Sequence, residues 1–351
     1  MAHIGVSVKS GVSEGLLVLP SASSLAASPA LEYIFMTGEN HSFDQLIQKI
    51  APQSKLLRTW NLKGGISAGM TALEIQRPDG QTSRMIVRRP GEGTLKRNPH
   101  AAEDEFRILQ LTRSLGLATQ TPYYLDQSGT IFSTPYLVVE YVEGQPEFAP
   151  ARVAEFTLQL ATHLARIHSA DWSSLDGSFL AQQTKGFVDT FGVRPVHVDT
   201  SLDEGRIRDT LESVWPPPQR NASVLLHGDY WPGNILWRDG QLVAVIDWED
   251  AALGDPLTDL AISRLDILWI FGIDALNAFM EHYRSLIAID YTNLPFWDLY
   301  AALRLVRLAG ANLTEWAAFF VPFGRPDITE HTIREHYRLF VDQAFEKLAA
   351  R

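Results

Sequence analysis

The sequence contains no cysteine among its 351 residues. This absence excludes a disulfide framework, a thiolate nucleophile and cysteine-ligated metal sites, and it suits the cytoplasmic location that we expect. Long apolar runs are also missing. The uncharged stretch Ile267–Ile273, in the hydrophobic part of the C-terminal half, is much shorter than the ~20 residues that span a bilayer. The sequence therefore predicts a globular protein without a membrane partner.

Basic residues are in deficit, and the deficit is uneven along the chain. The chain has 30 Lys and Arg against 41 Asp and Glu, which gives a net charge of −11. Residues 144–351 hold 17 basic and 28 acidic residues, whereas residues 37–143 hold 12 and 11. An acidic half repels nucleic acid, so we expect no nucleic-acid partner. It suits a neutral or cationic small molecule, although most of these acidic side chains are expected to form a solvated surface.

Three segments differ in composition and periodicity. Residues 1–36 are rich in Ser, Ala and Gly and hold a single lysine as their only Lys or Arg, so we expect a disordered tail rather than a cleaved signal peptide. Residues 37–143 combine strand-like runs with one prominent helix, predicted from Asn98 to about Leu115. Helical spacing dominates residues 144–351. The pattern predicts an α+β protein with a small N-terminal lobe and a larger helical C-terminal lobe.

The sharpest motif is His227–Asn234, which reads HGDYWPGN and is followed by Asp247 after an apolar strand. Asp229 and Asn234 have the D-x-x-x-x-N spacing of a kinase catalytic loop. Asp229 is suited to accept the proton of an attacking hydroxyl. The alternative is that these are ordinary turn residues, but three polar groups at this spacing favour a site. His227 itself is expected to be buried and bonded to the loop backbone, with metal binding as the alternative.

A hairpin is predicted between this motif and Asp247. Asp239-Gly240 is typical of a two-residue turn between apolar strands. A tight turn there places Asn234 opposite Val245 and makes Asp247 its diagonal neighbour on the same face. An amide oxygen and a carboxylate form an incomplete set of hard ligands, which Mg²⁺ accepts when phosphates and water complete it. The spacing therefore predicts Asn234 and Asp247 as metal ligands.

Two segments carry a resemblance to a known family. HGDYWPGNIL at His227–Leu236 and IDWEDAALGDPLTDL at Ile246–Leu260 resemble the aminoglycoside phosphotransferase/choline kinase-like family, and the resemblance covers about residues 55–350. It implies a two-lobed protein-kinase-like fold, with nucleotide binding in 37–143 and catalysis and acceptor binding in 144–351. It also implies transfer of the γ-phosphoryl group of ATP or GTP to a small-molecule hydroxyl, with Mg²⁺ as cofactor.

The resemblance also implies roles for single residues of the C-terminal lobe. Asp229 matches the catalytic base, and Asn234 and Asp247 match the two Mg²⁺ ligands. Asp255 and Asp259 match a structural element behind the site, and we interpret them as helix-capping or loop-bracing groups. The tryptophans of this half could form a cage for an ammonium group, but core packing is the default interpretation.

The N-terminal lobe matches less cleanly, because its glycine-rich segment lacks the G-x-G-x-x-G pattern of protein kinases. The resemblance nevertheless implies four nucleotide-binding features there: a phosphate-covering loop (Gly64, Gly65, Ser67), a phosphate-contacting cation (Arg88), its partner on a helix (Glu105) and a hinge for the base (Glu140, Val142).

Two of these assignments have alternatives. Arg88 can supply the charge and the bidentate fork that phosphates need, but Arg89 is a competing candidate for the same role. Glu105 is in line with Ala101 and Ile108 on a largely apolar stripe, where an unpaired carboxylate would be costly. The alternative for Glu105 is a surface position at the edge of that stripe.

The sequence thus predicts a phosphotransferase that acts on a small hydroxylated substrate. The rival hypothesis is a nucleotide-binding pseudokinase or scaffold without turnover, supported by the irregular glycine loop and by Arg88. A protein kinase is disfavoured because no recognisable activation segment with an Ala-Pro-Glu-type end follows Asp247.

Overall fold

The computed structural model describes residues 37–62, 67–172, 175–183, 194–309 and 312–350. The expected tail at 1–36 lies outside the described residues, as do Gly64 and Gly65 of the phosphate-covering loop. Within the described part of the chain, no helix is both long enough and apolar enough to cross a membrane.

Five strands form the N-terminal sheet, and every neighbouring pair is antiparallel in the order β1-β2-β3-β5-β4. Their bounds are β1 (Lys55–Asn61), β2 (Ala68–Gln76), β3 (Thr82–Pro90), β4 (Pro122–Asp126) and β5 (Tyr136–Glu140).

Helices cover both faces of this sheet. Helix α1 (Thr37–Ile50) packs on one face, where its apolar stripe joins Met85 and Val87 of β3 in a small core. Helices α2 (Glu92–Arg97) and α3 (Ala101–Ser114) follow β3, and Ile86 of β3 belongs with the apolar residues of α3 to the main core. Because side chains alternate along a strand, odd-numbered residues of β3 face α1 and even-numbered residues face α3.

Helices dominate the rest of the chain: α4 (Val153–His168), α5 (Glu204–Val214), α6 (Leu257–Phe271), α7 (Ile273–Leu286), α8 (Leu294–Ala309), α9 (Leu313–Ala318) and α10 (Glu330–Ala349). Helix α6 is buried around its whole circumference, from Leu257 to Ile270, and packs against α7, α8 and α10. Its Arg264 pairs with Asp298 of α8 at 2.9 Å, with both side chains buried. A buried charge is tolerated only when paired in this way.

Five short strands lie among these helices. They are β6 (Ala181–Gln182), β7 (Val224–Leu226), β8 (Ile235–Arg238), β9 (Gln241–Val245) and β10 (Ala252–Gly254). β8 and β9 form the predicted hairpin, and Asp239 and Gly240 have φ angles of 53° and 73°. Positive φ at both central residues is the signature of the two-residue turn, so the hairpin prediction is confirmed.

The predicted register of this hairpin is wrong by one residue. Val245 pairs with Ile235, and Asn234 lies opposite Ile246, whose N–H donates to the Asn234 carbonyl at 2.9 Å. The cause is a bulge in β9 between Leu242 and Ala244. The Leu242 N–H bonds to the side-chain oxygen of Gln159 on α4 at 2.9 Å, so a tertiary contact takes the place of a ladder bond there.

Candidate active site

A buried carboxylate on α6 supports the loop that carries Asp229. Asp259 is fully buried and accepts hydrogen bonds from the backbone N–H groups of His227 at 2.7 Å and Gly228 at 2.9 Å. The ring of His168 adds a contact at 3.3 Å. Burial pushes the pKa of Asp259 upward, but the bonds from His168 and His227 outweigh it, and the pKa lies below its usual range. Asp259 therefore braces the loop, as we interpreted it from the sequence.

Helix α6 makes one more contact with the same loop, and its own start is fixed by Asp255. One turn along α6, Ser263 donates its hydroxyl to the Tyr230 carbonyl at 2.8 Å. Asp255 accepts the N–H of Leu257 at 3.0 Å and caps the start of α6. The loop is thus fixed against one helix, while Asp255 fixes the start of that helix.

His227 connects the loop to the strand that leads to Asp247. It is fully buried, with Nε2 at 2.9 Å from the Ile246 carbonyl and Nδ1 accepting the Asp229 N–H at 3.2 Å. A ring that accepts at Nδ1 and donates at Nε2 is neutral and has no lone pair left for a metal. The structure agrees with a histidine bonded to the loop backbone.

Asn234 orients the carboxylate of Asp229. Its Nδ2 donates at 3.0 Å both to the Asp229 carbonyl and to Asp229 Oδ2. Asn234 is buried, whereas the Asp229 side chain keeps 23% of its surface exposed. Among the described residues, none donates a hydrogen bond to Asn234 Oδ1. That oxygen is available to a cation.

Arg88 joins the sheet to the helical part of the chain across the site. Its Nε donates to Glu105 of α3, and its Nη2 donates to Asp247 and to Glu249, each at 2.8 Å. The position follows from strand alternation, since even-numbered residues of β3 face α3. Arg89 faces the opposite way, with its guanidinium 5.0 Å from the ring centroid of Phe132. The structure thus brings Arg88, and not Arg89, to Asp247.

Three carboxylates compete for this one guanidinium, so the cluster carries excess negative charge. Glu105 is buried, and burial raises its pKa to about 7 against the opposing effect of Arg88. Asp247 uses Oδ1 to bind Arg88, while its Oδ2 receives no hydrogen bond from the described residues. Asp247 also has a φ of 64°, a left-handed conformation two residues after the end of β9.

A model of the phosphotransferase enzyme family, APH, matches residues 65–340. The chain belongs to this family.

Curated relatives match only part of their own length. Acyl-CoA dehydrogenase family member 10 of Mus musculus is 26% identical over 263 residues, which are 64% of this chain and 24% of that protein. Viomycin phosphotransferase of Streptomyces vinaceus is 29% identical over 168 residues, which are 44% of this chain and 58% of that enzyme. The chain thus spans about a quarter of the mouse protein.

Solved structures of similar fold cover nearly the whole of their own chains. A putative aminoglycoside phosphotransferase of Ralstonia eutropha JMP134 has a TM-score of 0.61 at 16% identity, covering 88% of this chain and 97% of that one. The GDP and kanamycin complex of APH(2″)-IIia gives 0.54 at 17%, covering 88% and 99%. Choline kinase LicA of Streptococcus pneumoniae gives 0.55 at 18%, covering 89% and 100%. The expected α+β, kinase-like fold and the family resemblance are confirmed.

The hinge and loop residues predicted for the nucleotide differ in their surroundings. The Glu140 side chain accepts bonds from the Thr121 N–H and hydroxyl at 3.1 and 2.6 Å, so it is used within the sheet. Val142 makes no hydrogen bond with the described residues, which leaves its backbone groups open. Ser67 donates to Glu249 at 2.8 Å, so it lies beside the Arg88 cluster.

Sequence reasoning missed two charged residues of the site. Glu249 contacts both Arg88 and Ser67, and Arg304 of α8 donates through Nη2 to Asp229 Oδ1 at 2.6 Å. A signal for Arg304 existed. It follows the buried Trp297 and Ala301 at spacings of seven and three, which puts it on the apolar stripe of α8, where a charge needs a partner.

Proposed function

We propose that this protein transfers the γ-phosphoryl group of ATP or GTP to a hydroxyl group of a small molecule. Residues 37–143 would bind the nucleotide, and residues 144–351 would carry catalysis and the acceptor. One observation carries the proposal: the Asp229 carboxylate is partly exposed and held in place by Asn234, while Asp247 binds Arg88 and directly follows Ile246, whose N–H donates to the Asn234 carbonyl. Membership in a phosphotransferase family supports it.

Asp229 would accept the proton of the attacking hydroxyl. Its Oδ2 is bonded to Asn234 and its Oδ1 to Arg304, so the carboxylate has a fixed orientation before any acceptor arrives. A positioned base lowers the barrier by orienting the nucleophile as well as by taking its proton.

The donor set fits Mg²⁺. Asn234 Oδ1 and Asp247 Oδ2 are hard oxygen ligands that receive no hydrogen bond from the described residues, and three carboxylates surround the single guanidinium of Arg88. These two residues would hold the ion, which prefers a few carboxylate or amide oxygens together with phosphates and water. Bound there, Mg²⁺ would neutralise charge on the transferred phosphoryl group.

Arg88 would contact the phosphates, and Glu105 would orient it. The Nε bond to Glu105 fixes one edge of the guanidinium, so the Nη groups point towards Asp247. Phosphate oxygens would exchange with the carboxylates that Arg88 now binds. Gly64, Gly65 and Ser67 would cover the phosphates, and the backbone near Glu140 and Val142 would bind the base. A structure of similar fold holds GDP and kanamycin, which supports a nucleotide and a small acceptor here.

The acceptor would be a small hydroxylated molecule that is neutral or cationic, because the acidic residues of the chain concentrate in 144–351. We further propose a cytoplasmic location, since the chain has no cysteine to be oxidised.

The experiment compares two carboxylate variants. With a panel of alcohols as acceptors, we expect Asp229→Asn to abolish the release of ADP or GDP. Its affinity for the nucleotide should stay within about threefold of wild type. Asp247→Ala should instead weaken Mg-nucleotide binding at least tenfold, because it removes a metal ligand. Isothermal titration measures the affinities, and Asp274→Asn on the exposed face of α7 is the matched control.

Two outcomes would contradict the proposal. Equal loss of nucleotide affinity in both variants would show that the roles are wrongly assigned. If wild type binds the nucleotide but releases no ADP or GDP with any alcohol, the pseudokinase hypothesis is favoured.

A further inference from the structure

The catalytic carboxylate is paired with a cation supplied by the chain itself. Arg304 Nη2 lies 2.6 Å from Asp229 Oδ1, and the two side chains keep 24% and 23% of their surface exposed. Among the described residues, this is the only hydrogen bond that Arg304 makes. The described residues accept no hydrogen bond from the other four N–H groups of its guanidinium.

The charge of Arg304 is permanent and is matched mainly by Asp229. Burial alone would lower the pKa of Arg304, but the negative charges of Asp229, Asp250 and Asp266 outweigh it and raise the pKa above its usual value. Asp266 is buried and accepts the indole N–H of Trp269 at 2.9 Å, and burial raises its pKa to about 7. Near neutral pH it is thus only partly ionised. Asp250 keeps part of its surface exposed, and burial of its carboxyl group together with the charge of Asp229 raises its pKa to about 6. Asp229 is the carboxylate that Arg304 binds by a hydrogen bond.

We propose that Arg304 determines acceptor specificity, by filling the cationic position beside Asp229 and thereby selecting uncharged alcohols. The inference rests on the proposed function and narrows its acceptor class. An ammonium group next to the reacting hydroxyl would need a free carboxylate to offset the loss of its hydration. Asp229 does not offer one, because its charge is already balanced at 2.6 Å. A hydroxyl, ether or carbonyl oxygen can instead accept a hydrogen bond from the N–H groups of the guanidinium that no described residue accepts.

The test uses two alcohols of the same shape and different charge. Choline and 3,3-dimethylbutan-1-ol differ by a quaternary nitrogen in place of a quaternary carbon. The rate of ADP or GDP release at saturating Mg-nucleotide gives kcat/KM for each alcohol. Isothermal titration into the full chain loaded with Mg²⁺ and AMP-PNP gives the ratio of their dissociation constants independently of turnover. Kanamycin serves as a polycationic acceptor.

Three variants separate charge from structure. Arg304→Gln removes the charge. We expect it to raise the ratio of kcat/KM for choline to kcat/KM for dimethylbutanol about tenfold, because the negative charge of Asp229 is no longer paired. Arg304→Lys keeps the charge, and we expect its ratio to stay within about threefold of wild type. Arg338→Gln, on the exposed face of α10, removes the same charge elsewhere and should leave the ratio unchanged. A merely structural role for Arg304 would not make the ratio follow the charge.

The outcomes are distinct from those of the proposed function. Wild type that prefers choline or kanamycin to the neutral alcohol would overturn the inference, and so would Arg304→Gln with an unchanged ratio. If wild type releases no ADP or GDP with any alcohol, the proposed function fails. The ratio of the dissociation constants still shows whether Arg304 selects uncharged alcohols.

Discussion

Asp259 allows a quantitative test of how the catalytic loop is held. Its two oxygens face two different backbone donors, with Oδ2 bonded to His227 N–H and Oδ1 bonded to Gly228 N–H. Asp259→Asn has nearly the same shape but only one acceptor oxygen. Whichever way the amide turns, its NH₂ group faces one of these backbone N–H groups, and one charged hydrogen bond is lost.

The expected cost follows from these contacts. A hydrogen bond to a charged group contributes about 1.5–3 kcal/mol, and a buried donor without a partner costs about 1–3 kcal/mol. We therefore expect Asp259→Asn to lower the free energy of unfolding by about 3–5 kcal/mol. Because the displaced backbone carries Asp229, we also expect kcat to fall at least 100-fold, since small misplacement of reacting groups is costly.

Asp255→Asn is the matched control. Asp255 accepts both of its hydrogen bonds, from Leu257 N–H and from Asn221, on the single oxygen Oδ1. An asparagine keeps both bonds, so we expect a loss of about 1 kcal/mol or less. Urea denaturation measures both variants, and equal m-values establish that the midpoints report stability. A loss below 1 kcal/mol for Asp259→Asn, or equal losses in both variants, would refute the reasoning.

Three further predictions concern single residues. Arg88→Ala should raise the KM for nucleotide by about 10–100-fold, since a charge-assisted contact contributes about 1.5–3 kcal/mol, whereas Arg89→Ala should change it less than threefold in the same assay. Gly228 has a φ of 84° and no room for a Cβ against the Asp250 carbonyl, so Gly228→Ala should destabilise the protein by about 3 kcal/mol or more. Gly240→Ala, at positive φ in open space, should cost about 1–2 kcal/mol, and equal urea midpoints would contradict the steric argument. Because the pKa of Asp266 is raised to about 7, the folded protein holds a proton that the unfolded chain releases. Wild type should therefore lose up to about 3 kcal/mol relative to Asp266→Asn between pH 5 and 8, and parallel urea midpoints at the two pH values would argue against a raised pKa.

Local patterns in the sequence predicted the elements of the fold but not all of their boundaries. The sequence predicts Asn98 as the cap of the prominent helix, with Pro99 as its first residue, yet α3 begins at Ala101. Asn98 Oδ1 instead accepts the His100 N–H at 3.0 Å, which closes a turn before the helix. An asparagine supports a turn and a helix cap by the same kind of bond, so the sequence does not distinguish the two positions.

The choice between Arg88 and Arg89 depended on information that a strand pattern lacks. Alternation shows that the two side chains face opposite sides of β3, but not which side meets the site. That side is determined by α3, whose Glu105 binds Arg88, and by α1, which covers the other face. The packing of helices from both flanks decides it.

The parts of the site that the sequence did not predict depend on contacts between distant segments. Asp229 and Asn234 are close in sequence, and their spacing was enough to predict the loop. The bond from Arg304 to Asp229 spans 75 positions, and the bulge in β9 depends on Gln159 of α4. The apolar stripe of α8 indicates that Arg304 needs a partner but not that Asp229 is that partner, and nothing local indicates the bond from Gln159. Both contacts result from how helices pack against the hairpin and the loop.

Helix α6 supports the catalytic loop from one stripe of its surface. Asp259, Ser263 and Asp266 follow at spacings of four and three residues, and they lie beside the loop backbone, the Tyr230 carbonyl and Arg304 respectively. Each residue of a helix turns its side chain by about 100°. Inserting a single residue before Asp259 would therefore rotate all three groups away together, although none of them had been replaced. In this family member, the rotational register of one buried helix determines the alignment of the active site as strictly as the identity of the residues on that helix does.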